Sequence, residues 1–270
     1  MVGIMKIYYD VKNNRLIYIG KKASPDYWDN HRIKYDFKKI YSKKIHPYDF
    51  VVRYTKKFLP IGSRILEGGC GLGQNVYKLH RIGYDVVGVD YAEKTISLIK
   101  SEFSELNIVR GDVRNLPFPE DYLDGYWSIG VIEHFYEGYD EIIKEMYRIV
   151  KKDGYVFITF PHLSLLRKIK SKLNLYPVWE ENDAHLENFY QFALDENKVI
   201  EDFHKCGFKL IGRHYLDGIK GLKDEINILK PVLQKMYDSN NLSVKIVSMM
   251  ISVLVSRFAS HSILLIFKKE

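Results

Sequence analysis

Cysteine is nearly absent. Cys70 and Cys206 are the two in 270 residues, which excludes a disulfide-built scaffold and leads us to expect a cytoplasmic setting. No Cys-x-x-Cys or His-x-x-x-His spacing occurs, so no metal is expected. No run reaches about 18 uninterrupted apolar residues, so a spanning helix is not expected. Lys6 and Asp10 interrupt the start of the chain, so no signal peptide is expected either. Internal repeats and low-complexity linkers are also missing.

What is present is a globular balance, 46% hydrophobic and 28% charged, long enough for one elaborated domain or two small ones. The net charge of +7 is uneven: residues 1–57 carry +9 and residues 58–270 carry −2. A basic N-terminal fifth is either a solvated face or a patch that attracts phosphate-bearing partners, from nucleic acid to anionic lipid.

Alternating apolar residues on either side of Lys12-Asn13-Asn14-Arg15 predict a β-hairpin over 6–19. Residues 25–45 read as helical, and a helix is expected over 47–58. The pattern then becomes regular. Strands are expected at 64–66, 85–90, 107–110, 125–129 and 155–160, with helices at 75–81, 92–105 and 139–150. Such alternation implies βαβ crossovers and a mostly parallel sheet. Beyond it, 163–190 reads as a loop with a basic helix at 165–173. A helix at 195–205 and strands at 208–213 and 261–267 follow, with a helical insertion at 219–258.

The first strand of the regular region runs into Glu67-Gly68-Gly69-Cys70-Gly71-Leu72-Gly73. Glycines at 69, 71 and 73 permit a tight turn and close approach of a ligand, and the next helix offers its N-terminus. Read as a dinucleotide fingerprint, the third glycine would be Gln74, and no Gly-Lys-Ser/Thr follows. Asp90, 17 residues after Gly73, is suited to vicinal ribose hydroxyls. Asp112 is suited to an exocyclic amine, with Val113 against a flat base. Each aspartate alone would pass for a turn residue; together they fall at the strand ends where parallel sheets bind ligands.

With these stretches, Ser128-Ile129-Gly130-Val131-Ile132-Glu133-His134-Phe135, and Arg148 to Tyr155, the chain resembles the Rossmann-like (class I) S-adenosylmethionine-dependent methyltransferases. The resemblance covers residues 50–162 best. It implies an α/β, doubly wound, mostly parallel seven-stranded sheet with an antiparallel last strand, plus N-terminal and late helical additions. The expected domains are an extension at 1–55 and a methyltransferase domain at 56–270, with insertions near 163–194 and 219–258. The implied cofactor is S-adenosylmethionine. By the resemblance Gly69, Gly71 and Gly73 lie along its methionine part, Glu67 at its ammonium, Asp90 at the ribose, Asp112 and Val113 at the adenine, and Ser128 and Ile129 near the sulfonium, with Tyr91 also at the cofactor. The family often has Asp where this chain has Glu67.

Glu133 and His134 follow the fourth strand of the regular region and are the expected catalytic pair, His134 as a base for a hydroxyl or amine; the alternative is that they cap the strand edge. His162, Trp179, His185, Phe189 and Tyr190 are expected at the acceptor, or else are plain packing. No Asn-Pro-Pro-Tyr or Asp-Pro-Pro-Tyr motif occurs, which argues against that style of amino-group methylation. The expected activity is methyl transfer to oxygen or nitrogen of a small-molecule, lipid- or sugar-linked acceptor. An RNA-binding modification enzyme or adaptor, or a non-catalytic S-adenosylmethionine-binding protein, stays open, as does a homodimer. In the 219–258 insertion, Leu222, Ile226, Leu229, Leu233 and Met236 recur at helical spacing, and residues 246–255 are apolar nearly all round. That second run suits a layer packed on the sheet or a dimer partner, or else a lid or peripheral membrane contact.

Overall fold

The structure is a computed structural model that describes residues 5–32, 34–35, 40–42, 45–46 and 49–270. It divides into two compact units. One comprises Ala23–Ile158, Asp202–Ile211 and Ile266–Glu270; the other comprises Met1–Lys22, Thr159–Glu201 and Gly212–Leu265.

The hairpin forms as expected. Strands β1 (Lys6–Asp10) and β2 (Arg15–Ile19) pair antiparallel, with Lys6 opposite Ile19 and Asp10 opposite Arg15. Asp10 closes the turn by accepting from the Asn13 amide and side chain and from Arg15 Nε.

The expected parallel strands also form. They are β3 (Arg64–Gly68), β4 (Asp85–Asp90), β5 (Ile108–Arg110), β6 (Leu123–Ile129) and β7 (Val150–Pro161). A third strand beside the hairpin, β8 (Phe189–Ala193), pairs antiparallel with β2; a loop was expected there up to residue 190. With β9 (Phe208–Leu216) and β10 (Ser262–Lys269) the main sheet has seven strands, ordered β5-β4-β3-β6-β7-β10-β9, mostly parallel with antiparallel last strands.

From β3 the chain builds outward through β4 and β5, then returns to lay β6 on the other side of β3. Open α/β sheets bind ligands at such a reversal, beyond the carboxyl ends of the strands. The strands are short apolar runs such as Ile65-Leu66 and Val86-Val87, buried because helices cover both faces. The helix Phe50–Phe58 is capped by Asp49 and pinned to β6, where Trp127 Nε1 donates to Thr55 Oγ1 at 2.9 Å and its ring stacks on Phe157. Position 47, where this helix was expected to begin, lies outside the described residues. Helix Pro25–Arg32 falls within the expected helical stretch, much of which also lies outside them.

The insertion is helical, as Gly218–Glu225, Lys230–Asp238 and Leu242–Ala259. Two features of its last helix bear on the expectations. Leu242–Ala259 has 18 residues and a mean hydropathy of 1.7, long and apolar enough by composition to cross a membrane. A search for uninterrupted apolar runs misses it because serines and two cations break the run. Of its residues Ala259 alone is buried, so it is not a layer enclosed within this chain, while the expected dimer-partner and membrane alternatives are untouched by that.

Candidate active site

In the unit that contains β3–β6, the loop after β3 and the ends of β4, β5 and β6 border a cavity of about 320 Å³. That volume suits a small organic ligand. Gly69, Asp90, Asp112, Val113, Ile129 and His134 all line it, and all were expected from the sequence.

The glycine loop is shaped for close approach. Gly69 has φ +71°, and a Cβ there would meet Val131 Cγ2 at 2.5 Å. Gly73 has φ +69° and a Cβ there would strike Ile108 Cδ1 at 2.5 Å. The positive φ at both positions strains any L side chain, and Val131 or Ile108 would have to shift to admit one.

Asp90 is 1% exposed. Its Oδ2 accepts from the Gly71 amide at 2.8 Å, and its Oδ1 accepts from the Ala92 amide and from Arg32 Nη1, each at 3.0 Å. A carboxylate has about four acceptor positions, so one remains on Oδ2, and Arg32 occupies one more. Tyr91 also lines the cavity, its hydroxyl donating to the Ala23 carbonyl, and burial pushes that phenol up to about 12. Asp112 accepts a two-pronged contact from Arg114 at 2.6–3.1 Å. That hydrogen bonding holds its carboxyl below the usual range.

Glu67 is the last residue but one of β3 and is 3% exposed. Its Oε1 accepts from Asn75 Nδ2 at 2.7 Å, while Oε2 is buried with no partner. Burial raises the carboxyl to about 7. Ser128 is buried on β6 opposite Gly68. Cys70 is buried too, and its thiol is raised by that burial, which is no environment for a nucleophile.

Of the expected catalytic pair, His134 lines the cavity and meets the edge of Trp28 at 5.2 Å between centroids. Glu133 turns inward instead. It is 2% exposed, Oε2 has no partner, and burial raises its carboxyl to about 8. Burial thus favours its uncharged form, which is the wrong form for a base.

The five expected acceptor residues belong to the other unit. His162 is buried there with Nε2 2.5 Å from Ser260 Oγ, and burial lowers it to about 3. Trp179 and His185 stack on each other and both meet Tyr8 of β1. Phe189 packs on Phe192, and Tyr190 on the core around Leu16, Tyr18 and Leu163.

The sequence reading missed Trp28, Arg32, Arg114 and Phe135 among the lining residues. Trp28 and Arg32 sit four apart on one helix, a spacing that marks one face. Asp29 between them accepts from the Thr95 amide and hydroxyl, each at 2.7 Å, and from the Lys94 amide at 3.2 Å. It thereby fastens helix Pro25–Arg32 to the start of Glu93–Glu102.

The fold and this cavity define an α/β domain with a ligand cavity at the strand ends. Residues 66–158 match the family model described as a methyltransferase domain. One relative, named "Probable S-adenosylmethionine-dependent methyltransferase" in Mycolicibacterium smegmatis, is 26% identical over 156 residues, 57% of this chain and 60% of its own. The chloroplastic 2-methyl-6-phytyl-1,4-hydroquinone methyltransferase of Spinacia oleracea is 32% identical over 110 residues, 41% of this chain and 28% of its own. A crystal structure of a TehB-like S-adenosylmethionine-dependent methyltransferase from Corynebacterium glutamicum superposes with a TM-score of 0.55 at 18% identity. That match covers 92% of this chain and 100% of that one. The chain spans from about a third to three fifths of the length of the first curated relatives it matches. The matched region is a methyltransferase domain of the Rossmann-like, S-adenosylmethionine-dependent family, and S-adenosylmethionine is its cofactor. The residues present fit it: Gly69 and the Asp90 carboxylate line the cavity, and Glu67, buried on β3 and not itself a lining residue, has a carboxylate oxygen without a partner.

Proposed function

We propose that the protein transfers the methyl group of S-adenosylmethionine to an oxygen or nitrogen of a small-molecule, lipid- or sugar-linked acceptor. One observation carries this reading: a single cavity gathers Gly69 of the glycine loop, Asp90, Asp112 with Val113, and His134. When bound, the cofactor supplies a methyl carbon made electrophilic by its sulfonium. The protein's share is then orientation and removal of water. Glu67 Oε2 takes the ammonium, Asp90 the ribose hydroxyls, and Val113 the adenine face. Asp112 holds Arg114 in place beside the adenine and gives an exocyclic amine its remaining acceptor capacity. His134 accepts the proton that a hydroxyl or amine acceptor loses on attack, while Glu133 stays uncharged behind it. The Spinacia oleracea relative, named for a phytyl-bearing hydroquinone, supports a lipid-linked acceptor. The two free cysteines are in keeping with a cytoplasmic enzyme.

The basic N-terminal fifth supports a second reading, RNA modification, which requires salt-sensitive RNA affinity. The test is a labelled-methyl screen over quinols, lipids, sugars and RNA. We expect label in a small or lipid-linked acceptor and a fall of about 10²–10⁴-fold in turnover for His134→Ala at unchanged cofactor affinity. Label in RNA alone selects the second reading. Cofactor binding without any labelled product removes catalysis from both.

A further inference from the structure

The unit that contains the hairpin presents helices turned inside out. Leu242–Ala259 packs on Gly218–Glu225 through its small and hydroxyl-bearing side. A Cβ at Gly221 would lie 1.5 Å from the Ala259 carbonyl oxygen, and one at Gly218 2.4 Å from that of Ser252. Ser252 Oγ accepts from the Ile219 amide, and Ser248 Oγ donates to the Met236 carbonyl. The large apolar residues point the other way: Met249, Met250, Val253 and Leu254 are 63%, 59%, 67% and 81% exposed. A helix that folds against its own domain normally does the reverse.

The neighbouring helix Leu165–Lys172 repeats the pattern. Its inner side carries Arg167, 1% exposed and paired with Glu225 at 2.8 Å. Its outer side carries Leu165 and Ile169, and Leu173 follows, all exposed. On the third helix side, Ile228 and Val232 are 85% and 62% exposed. Exposed large apolar side chains on Leu242–Ala259 and on two helices that contact it point to an interaction face.

Charge identifies the occupant. Residues 226–260 contain Lys230, Lys235, Lys245 and Arg257 against one acid, Asp238. Lys172 is exposed at the end of the neighbouring helix. Two copies of such a face would bring cations against cations, whereas an anionic lipid surface complements them. Eleven residues separate Lys245 from Arg257. They make about 16 Å of helix, well short of a hydrocarbon core of about 30 Å. One side of the helix is also already taken by protein. It therefore lies in the interface instead of crossing it.

We propose that this face is a peripheral membrane-binding surface for anionic bilayers, seated by Met249, Met250, Val253 and Leu254 and selected by Lys172, Lys245 and Arg257. The proposal does not rest on the methyltransferase reading.

Flotation of the full chain with phosphatidylglycerol-containing vesicles tests it, with phosphatidylcholine vesicles alongside. We expect binding to the anionic vesicles that weakens at high salt. Val253→Asp with Leu254→Asp should reduce partition by about tenfold or more. Lys245→Glu with Arg257→Glu should remove the preference for anionic lipid. These side chains are exposed, so an unchanged melting temperature reports an intact protein. If the parent stays at the bottom of the gradient with both lipids, the proposal is wrong. It is equally overturned if the parent forms a stable dimer that the double aspartate variant dissociates and neither lipid displaces, because the face then belongs to a second copy.

Discussion

Two buried glutamates dominate the chemistry at the scale of single residues, and their pKa shifts give opposite kinds of prediction. Glu67 is raised to about 7 by burial, so a cation arriving at Oε2 must find it deprotonated. Binding of S-adenosylmethionine should tighten as pH rises to about 7, level off above it, and release up to one proton below it. Glu67→Gln should weaken binding and flatten that profile. Calorimetry in buffers of different ionisation enthalpy measures both, and a flat profile for the parent would remove Glu67 from the ammonium site. Glu133 is raised from 4.5 to about 8 by burial. The folded state then holds a proton that the unfolded state gives up between those values. The stability this protonation contributes is complete below about 4.5 and is lost as pH rises through about 8. Glu133→Gln mimics the uncharged acid, so melting temperatures of parent and variant should diverge in the variant's favour from pH 6 to pH 9. Equal pH dependence in the two would mean that Glu133 is charged in the fold. Neither shift is visible in sequence. Glu67 was placed at the cofactor by its position in the glycine motif, and Glu133 was paired with His134 only because the two are adjacent.

At the scale of elements, legibility followed the range of the interactions that make each one. Strands β3–β6 and the helices between them are read from local apolar runs bounded by glycine and aspartate, and the cofactor residues came with them because they sit at strand ends. Strand β8 was missed because its partner is β2, with Leu16 opposite Ala193, and no local pattern records a pairing across the length of the chain. Strand β7 begins at Val150, earlier than expected, because Lys151-Lys152-Asp153-Gly154 looks like a turn; Asp153 does have positive φ, yet the strand runs through it. The helix carrying Trp28 and Arg32 was legible as helical but not as part of the site, since its attachment depends on Asp29 reaching Thr95. That attachment can be tested. Asp29→Ala leaves the Thr95 and Lys94 amides without their acceptor, at a cost of about 1–3 kcal/mol. It should lower the melting temperature and, by loosening Trp28 and Arg32 at the cavity, weaken cofactor binding as well. A variant that melts lower with unchanged affinity would confine the helix to a structural role.

At the scale of the whole molecule, the chain combines a cofactor domain, whose design is written in local motifs, with a second unit in which helix Leu242–Ala259 carries its large apolar side chains outward. The first kind of feature is recognisable from spacing alone. The second depends on which side of a helix is buried, and a run that is apolar nearly all round does not say. The central claim is that the cavity at the ends of β3–β6 holds S-adenosylmethionine, with Asp90 on the ribose. Titrating the full chain by calorimetry with S-adenosylmethionine, and with NAD as comparator, tests it most directly. The account predicts one S-adenosylmethionine site per chain. Asp90→Asn should weaken it by about 1.5–3 kcal/mol, the scale of hydrogen bonds to a charged acceptor. NAD should not bind. Tight NAD binding without S-adenosylmethionine binding, or an affinity for S-adenosylmethionine that Asp90→Asn leaves unchanged, would contradict it.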